Sequence, residues 1–390
     1  MKKIFLPFFI AGVMSMGITS CSSDDKNEPG NDPKEEDNYE LDYNSSNASG
    51  WHNYMSAVAN LLRQDATSLY DAWNTSYNGG EAFATQFKNH TGAYSSAWNC
   101  VQEILGGCAD IATEVGEAKI GDPYNLYRQG NRQEALYAVE SWYSWHSRDD
   151  YANNIRSIRN SYYGSTDDKV NPNSLSALVK SLDPALDTKM VSAIDGAQRA
   201  ILAIPQPFRN NIASSESMAA MEACGALENA ITNDLTIFLS SLAEDASHNY
   251  YDAEFDAIVD NYVDNVVLPT YKLLVERNTA LQSAVQLLTA NPTNSNFEAA
   301  CSAWLNAREP WEESEAFLFG PVDALGLDPN MDSWPLDVDA IINHINSGNF
   351  DDLLWGDSDN DDAVEAAQSI RGFHTLEFLL FKNGNPRKVN

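Results

Sequence analysis

Positive charge is scarce in this sequence. Its 390 residues hold 24 Lys and Arg against 56 Asp and Glu, a formal net charge of −32. A phosphate backbone is attracted by basic surface, so this balance argues against a nucleic-acid partner. It leaves affinity for cations open, beside the plainer reading of an acidic surface that keeps a secreted protein soluble. Strand signals are nearly absent: no run of alternating β-branched residues occurs, and no Asn-Gly pair joins two such runs. Past the N-terminus no stretch of 18 apolar residues exists, so no transmembrane helix is expected. Cysteine is sparse. Beyond Cys21 there are Cys100, Cys108, Cys224 and Cys301, too widely spaced for a zinc pattern. An oxidising envelope permits disulfides, but all four fall in helical apolar patterns, where buried free thiols are expected for most. The zinc-peptidase motifs HExxH and HxxEH are missing too. Where HxxEH needs its second histidine, the chain has Phe378.

What is present begins at the N-terminus. Met1-Lys2-Lys3 is a basic lead, Ile4 to Ile18 is apolar, and Ile18-Thr19-Ser20-Cys21 follows. An apolar run this short, ending in small residues, reads as a signal peptide over 1–20. The segment resembles a bacterial lipoprotein signal, which makes Cys21 the lipidated first residue of the mature chain. Residues 21–49 are rich in Asp, Glu, Asn, Lys and Pro and read as a disordered tether. The expected location is the cell envelope, with the lipid holding the protein to the outer membrane.

Helical periodicity is nearly continuous from there on, so the fold class is all-α. The pattern predicts a helix over about 50–73, a second over 81–88, and a third ending at Gly106-Gly107. A fourth stops before Gly121, and a long one covers 132–163. Ser174 caps a short helix, Asp183-Pro184 opens the next, and another runs from 215 to 243. In the second half helices cover about 250–290, with a bend at Pro269, then 296–319 and 336–345. A loop spans 322–335, and a last helix holds residues 370–381. The organisation expected is two helical bundles, over 50–248 and 249–390.

Three places carry chemistry. In the last helix His374 and Glu377 stand at i and i+3, inside an otherwise apolar run. Burying such a pair is costly unless each group has a partner. It is either a hydrogen bond that fixes packing or half of a metal site. Gly372 allows close backbone approach there. Glu312 and Glu315 are again i and i+3, with Arg308 four residues before Glu312; they form a solvated face or a site. His146 and Asp150 are i and i+4 beside Trp142, Tyr143 and Trp145. Imidazole suits iron and zinc, and carboxylates suit iron and harder cations. His52, His90, His248 and His344 lack such neighbours and read as surface or capping residues.

Gly372-Phe373-His374-Thr375-Leu376-Glu377 resembles the GxHxxE motif of the imelysin family. Arg308-Glu309-Pro310-Trp311-Glu312-Glu313-Ser314-Glu315, Gly320-Pro321 and Trp334-Pro335 resemble segments that accompany it. Glu114-Val115-Gly116 and His146-Ser147-Arg148-Asp149-Asp150 resemble the family's other half. The resemblance implies two related helical bundles with a site near their interface, in an element order that reads as circularly permuted. It also implies an envelope protein linked to iron uptake. On that reading His374, Glu377 and Glu315 bind a metal ion, iron or zinc, while Arg308, Glu312, His146, Asp150 and Gly372 line the ligand site. The partners implied are the metal or a small iron-bearing ligand, the outer membrane and iron-transport components. Two alternatives stand beside it: a metallopeptidase with Glu377 as its catalytic group, and a structural lipoprotein.

Overall fold

Apolar residues recur every three or four positions, and helices form accordingly. The computed structural model describes residues 41–243, 251–354 and 361–389. The signal peptide, Cys21, most of the tether and the boundary expected at 248 lie outside the described residues. Helix α1 (Ala48–Asn74) buries Trp51, Tyr54, Met55, Val58, Leu62, Leu69 and Trp73 along one stripe. Packing begins before it: Tyr43 is buried, its ring against Trp51 and Phe297. After α2 (Phe83–Lys88), helix α3 (Ala97–Thr113) starts at Ser96, whose Oγ accepts from the Asn99 N–H at 3.2 Å.

Two sequence expectations need correction here. Gly106-Gly107 does not end α3. A Cβ on Gly107 would lie 2.1 Å from the carbonyl oxygen of Ala316, so glycine is required there for a close backbone crossing inside a continuous helix. The helix then passes into a π-helical stretch, Glu114–Lys119, followed by α4 (Gly121–Gln129) and α5 (Arg132–Tyr137). Nor is 132–163 one helix. Residues 138–146 are irregular, with Ser141 and Trp145 at φ 49° and 63°, and α6 spans Ser147–Tyr163. Helix α6 buries polar residues at helical spacing: Ser147, Asp150, Asn154, Ser157 and Ser161.

Helices α7 (Leu175–Leu182) and α8 (Pro184–Leu202) start where the sequence predicts, at Ser174 and at Asp183-Pro184. Helix α9 (Ser215–Asn229) runs through a second π stretch, Ala230–Leu235, into α10 (Thr236–Ala243). Helix α11 (Asp252–Tyr262) reaches α12 (Leu268–Ala290) through a third, Val263–Val267. That change of register precedes Pro269, which has no N–H to give the ladder. Helix α13 (Asn294–Glu312) ends before Phe319, and a 3-10 turn follows at Glu315–Phe317. The expected loop holds α14 (Pro321–Ala324) and α15 (Leu327–Asp332). Then come α16 (Val338–Ser347), α17 (Asp361–Gln368) and α18 (Gly372–Leu380). A two-residue hairpin, β1 (Phe381–Lys382) with β2 (Asn385–Pro386), closes the described chain. Its turn, Asn383-Gly384, has φ of 51° and 71°, the positive values such a tight turn requires.

Helix α1 packs on α12, α16 and α18, and α12 packs on α13. Helices α3, α6, α8 and α9 pack on one another, and α6 meets α13. Among the described residues one apolar core runs from Tyr43 to Phe381. Cys100, Cys108, Cys224 and Cys301 are free and buried, as their apolar patterns predict. Among the described residues no helix is long and apolar enough to cross a membrane.

Candidate functional site

All nine residues of α18 are buried, so its two titratable side chains need partners from the protein. His374 Nδ1 lies 3.1 Å from Glu377 Oε2. Glu377 Oε1 accepts from the backbone N–H of Tyr143 at 3.0 Å, that of Ser144 at 2.7 Å, and the Ser144 hydroxyl at 2.7 Å. One carboxylate thus ties α18 to the irregular stretch 138–146. The other imidazole nitrogen, Nε2, stands 3.2 Å from Asp332 Oδ1 at the end of α15. Asp332 Oδ2 accepts from Trp311 Nε1 at 2.7 Å, and Arg308 also pairs with Asp332.

Arg308, fully buried in α13, organises the rest. Its guanidinium lies 2.6 Å from Glu312 Oε1 and 3.7 Å from Asp150 Oδ2, besides its pair with Asp332. A buried cation needs such partners. Asp150 also receives the Ser141 hydroxyl at 2.5 Å and lies 2.8 Å from His146 Nδ1. Glu312 Oε2 accepts from Asn154 Nδ2 at 2.5 Å. Next to this group, buried Lys119 stands 3.1 Å from Glu140, 3.6 Å from Glu114 and 4.0 Å from Glu315. Glu312, Glu315 and Asp332 each offer a carboxylate oxygen within 4.8 Å of the others.

Burial and mutual charge decide protonation. Burial and the Arg308 charge oppose protonation of His374, but hydrogen bonds to Asp332 and Glu377 outweigh them and hold its pKa at about 9. Burial likewise works against His146, and the Asp150 carboxylate holds it at about 9. Asp332 and Asp150 stay below the usual carboxylate range despite burial, Asp332 through Arg308 and His374, Asp150 through His146 and then Arg308. Glu312 goes the other way: burial pushes it to about 8 against the pull of Arg308. Burial also raises Glu315 well above its ordinary value, against Lys119.

The described chain is therefore almost entirely helical, with a buried polar cluster joining elements far apart in sequence. The Imelysin family profile matches residues 25–233 and 267–389. The chain belongs to the imelysin family. The crystal structure of an imelysin peptidase from Bacteroides ovatus is 60% identical in sequence and superposes with a TM-score of 0.87, over 90% of this chain and 99% of that one. Iron-regulated protein A of Synechococcus elongatus is 34% identical over 135 residues, 33% of this chain and 32% of that protein. The chain thus spans about a third of that relative's length. A putative iron-regulated protein A precursor from Parabacteroides distasonis is 36% identical over 44% of this chain and 51% of that one, with a TM-score of 0.41.

In this imelysin chain the residues singled out from sequence converge. His374, Glu377, Arg308, Glu312, His146 and Asp150 belong to one connected set of contacts. Glu315 is placed next to that set, offering a carboxylate oxygen within 4.8 Å of Glu312 and Asp332, and it lies 4.0 Å from Lys119. His146 sits at the N-cap of α6 rather than inside a helix. The close approach at Gly372 is made to α15: with φ at 85°, a Cβ there would lie 2.4 Å from the Met331 carbonyl oxygen. Sequence reasoning missed Asp332, Lys119, Asn154 and Ser144. Asp332 lies in a segment read as loop, and the available signal was Trp334 two residues on, whose ring meets His374 edge to face at 5.0 Å. Of the histidines read as surface or capping residues, His52 and His344 are buried, bonded to Tyr43 at 3.1 Å and to the Asn349 carbonyl at 2.7 Å. His90 lies 3.2 Å from Asp256, and His248 lies outside the described residues.

Proposed function

We propose that this imelysin protein binds iron, as the ion or within a small chelate, at the carboxylates Glu312, Glu315 and Asp332, as part of iron handling in the cell envelope. One observation carries the reading: three carboxylate oxygens within 4.8 Å of one another, from the end of α13, the 3-10 turn after it and the end of α15. The donors are all hard oxygens, which suits iron better than zinc, whose sites favour imidazole and thiolate. His374 stands behind them, with both ring nitrogens engaged by Glu377 and Asp332, and so orients Asp332. The name of the Synechococcus relative, iron-regulated protein A, points the same way. The signal segment and Cys21 complete the reading: a lipid-anchored protein at the outer membrane, working with iron-transport components.

Metal analysis of the purified protein, with calorimetric titration by Fe²⁺ without oxygen, tests this. Wild type should bind iron with release of the Glu312 proton, and Glu312→Gln should weaken binding by at least roughly tenfold, the loss expected when one ligand can no longer ionise. Absence of binding by wild type, or an unchanged affinity in the variant, sinks the proposal. A second reading is favoured by the Bacteroides ovatus protein, which is described as a peptidase. In that reading Glu377 is the base, and a metal-dependent peptide digest abolished by Glu377→Gln would replace binding with cleavage. Glu377 already accepts three hydrogen bonds on one oxygen, an arrangement that favours a positioning role.

A further inference from the structure

Lys119 is held the way a metal ion is held. It ends the π-helical stretch Glu114–Lys119 and is only 6% exposed. Its Nζ is surrounded by Glu140 Oε2 at 3.1 Å, Glu114 Oε1 at 3.6 Å and Glu315 Oε1 at 4.0 Å. Glu114 and Lys119 are five residues apart. An α-helix brings i+3 and i+4 together, so this contact depends on the wider π turn. One ammonium compensates only one of the three charges these carboxylates carry when all are ionised, and burial already opposes ionisation of Glu315. A second observation points to a missing partner. The Tyr151 hydroxyl is fully buried, has no hydrogen-bond partner among the described residues, and feels the charges of Glu140 and Lys119 before any others. A buried hydroxyl left unpaired is costly, and a ligand that completes it removes that cost. The outer side is open: the Glu114 side chain is about half exposed, at 47%, and that of Glu140 is 20% exposed.

We propose that Lys119 is a tethered competitor in a second cation position, formed by Glu114, Glu140 and Glu315 with the Tyr151 hydroxyl beside them, and that this position takes a hard divalent or trivalent metal ion from solvent. This rests on the reading that Glu312, Glu315 and Asp332 bind metal, because Glu315 belongs to both groups. The ion arrives at the outer carboxylates, the ammonium swings out past exposed Glu114, and Glu315 links the outer position to the inner one. A monovalent ion offers the carboxylates no more charge than the lysine already does. An ion of higher charge does, so Lys119 selects for polyvalent cations. All donors are oxygens, which favours hard ions over soft ones.

The probe is Mn²⁺, an oxygen-seeking ion without redox complications, titrated by calorimetry and electron paramagnetic resonance into the full chain. Lys119→Met should bind Mn²⁺ at least roughly tenfold more tightly than wild type, or hold one more ion per chain, because a unit charge has left the site. Its thermal midpoint should rise more on Mn²⁺ addition than that of wild type. Lys119→Gln, which keeps a polar side chain of similar reach, carries the same expectation. The double variant Lys119→Met with Glu312→Gln should retain the gain, which separates the outer position from the inner one. If wild type binds nothing while Lys119→Met does, the outer position stands and the inner reading falls. Wild-type affinity and stoichiometry in both Lys119 variants overturn the inference. So does a gain that disappears with Glu312→Gln, or a pair of variants that fail to fold and are not rescued by Mn²⁺.

Discussion

Asp332 shows how much one residue can hold. It receives Arg308 and Trp311 from α13 and His374 from α18. Asp332→Ala should cost about 3–5 kcal/mol, because it leaves a buried guanidinium short of its partner; urea unfolding measures this, and a loss under about 1 kcal/mol would show the cluster relaxing without it. Gly372→Ala should cost about 2–3 kcal/mol, through its positive φ and the clash with the Met331 carbonyl. An unchanged melting temperature would contradict that. His146 predicts a pH dependence. Its folded pKa of about 9 exceeds its ordinary value of 6.5, so its contribution is complete below pH 6.5 and fades as pH rises through 9. The contribution is on the order of 3 kcal/mol. His146→Gln should flatten the stability profile over that window, and a profile as steep as wild type would show that another group causes the loss. These pairs were legible because they are local: His146–Asp150, Arg308–Glu312 and His374–Glu377 are i+3 or i+4 neighbours. Asp332 and Lys119 were not, because all of Asp332's partners and all but Glu114 of Lys119's lie tens of residues away in the chain.

Elements were legible where one rule dominates. Helix α18 is apolar on every side and is buried on every side. Ser174 and Asp183-Pro184 start helices because their side chains satisfy the first free N–H groups. The errors fell where a neighbouring element overrode the local signal. Gly106-Gly107 reads as a stop, yet the 3-10 turn at Glu315–Phe317 crosses there and needs the space. The stretch 138–146 is helical in pattern, yet Glu377 takes up its N–H groups. Glu377→Gln should therefore loosen that stretch, since an amide offers only one acceptor oxygen and brings donors of its own. Hydrogen exchange at Tyr143 and Ser144 should accelerate; protection equal to wild type would mean that other contacts hold the stretch.

At the scale of the molecule, a net charge of −32 predicts self-repulsion in the folded state. Salt should raise the melting temperature between about 10 mM and 500 mM NaCl, where screening lengths fall well below the size of the protein. A flat or falling trend would show that internal ion pairs outweigh surface repulsion. Helical class, the caps, the buried thiols and the local polar pairs followed from sequence alone, because each depends on residues within a few positions of one another. The tertiary structure decided the rest. It placed α1 against α12, α16 and α18, and it turned three local pairs into one cluster around Arg308. It also brought Lys119 to Glu315 across nearly two hundred residues. The reason is physical: a buried charge must find its countercharge wherever the fold supplies one, and no local pattern records that distance.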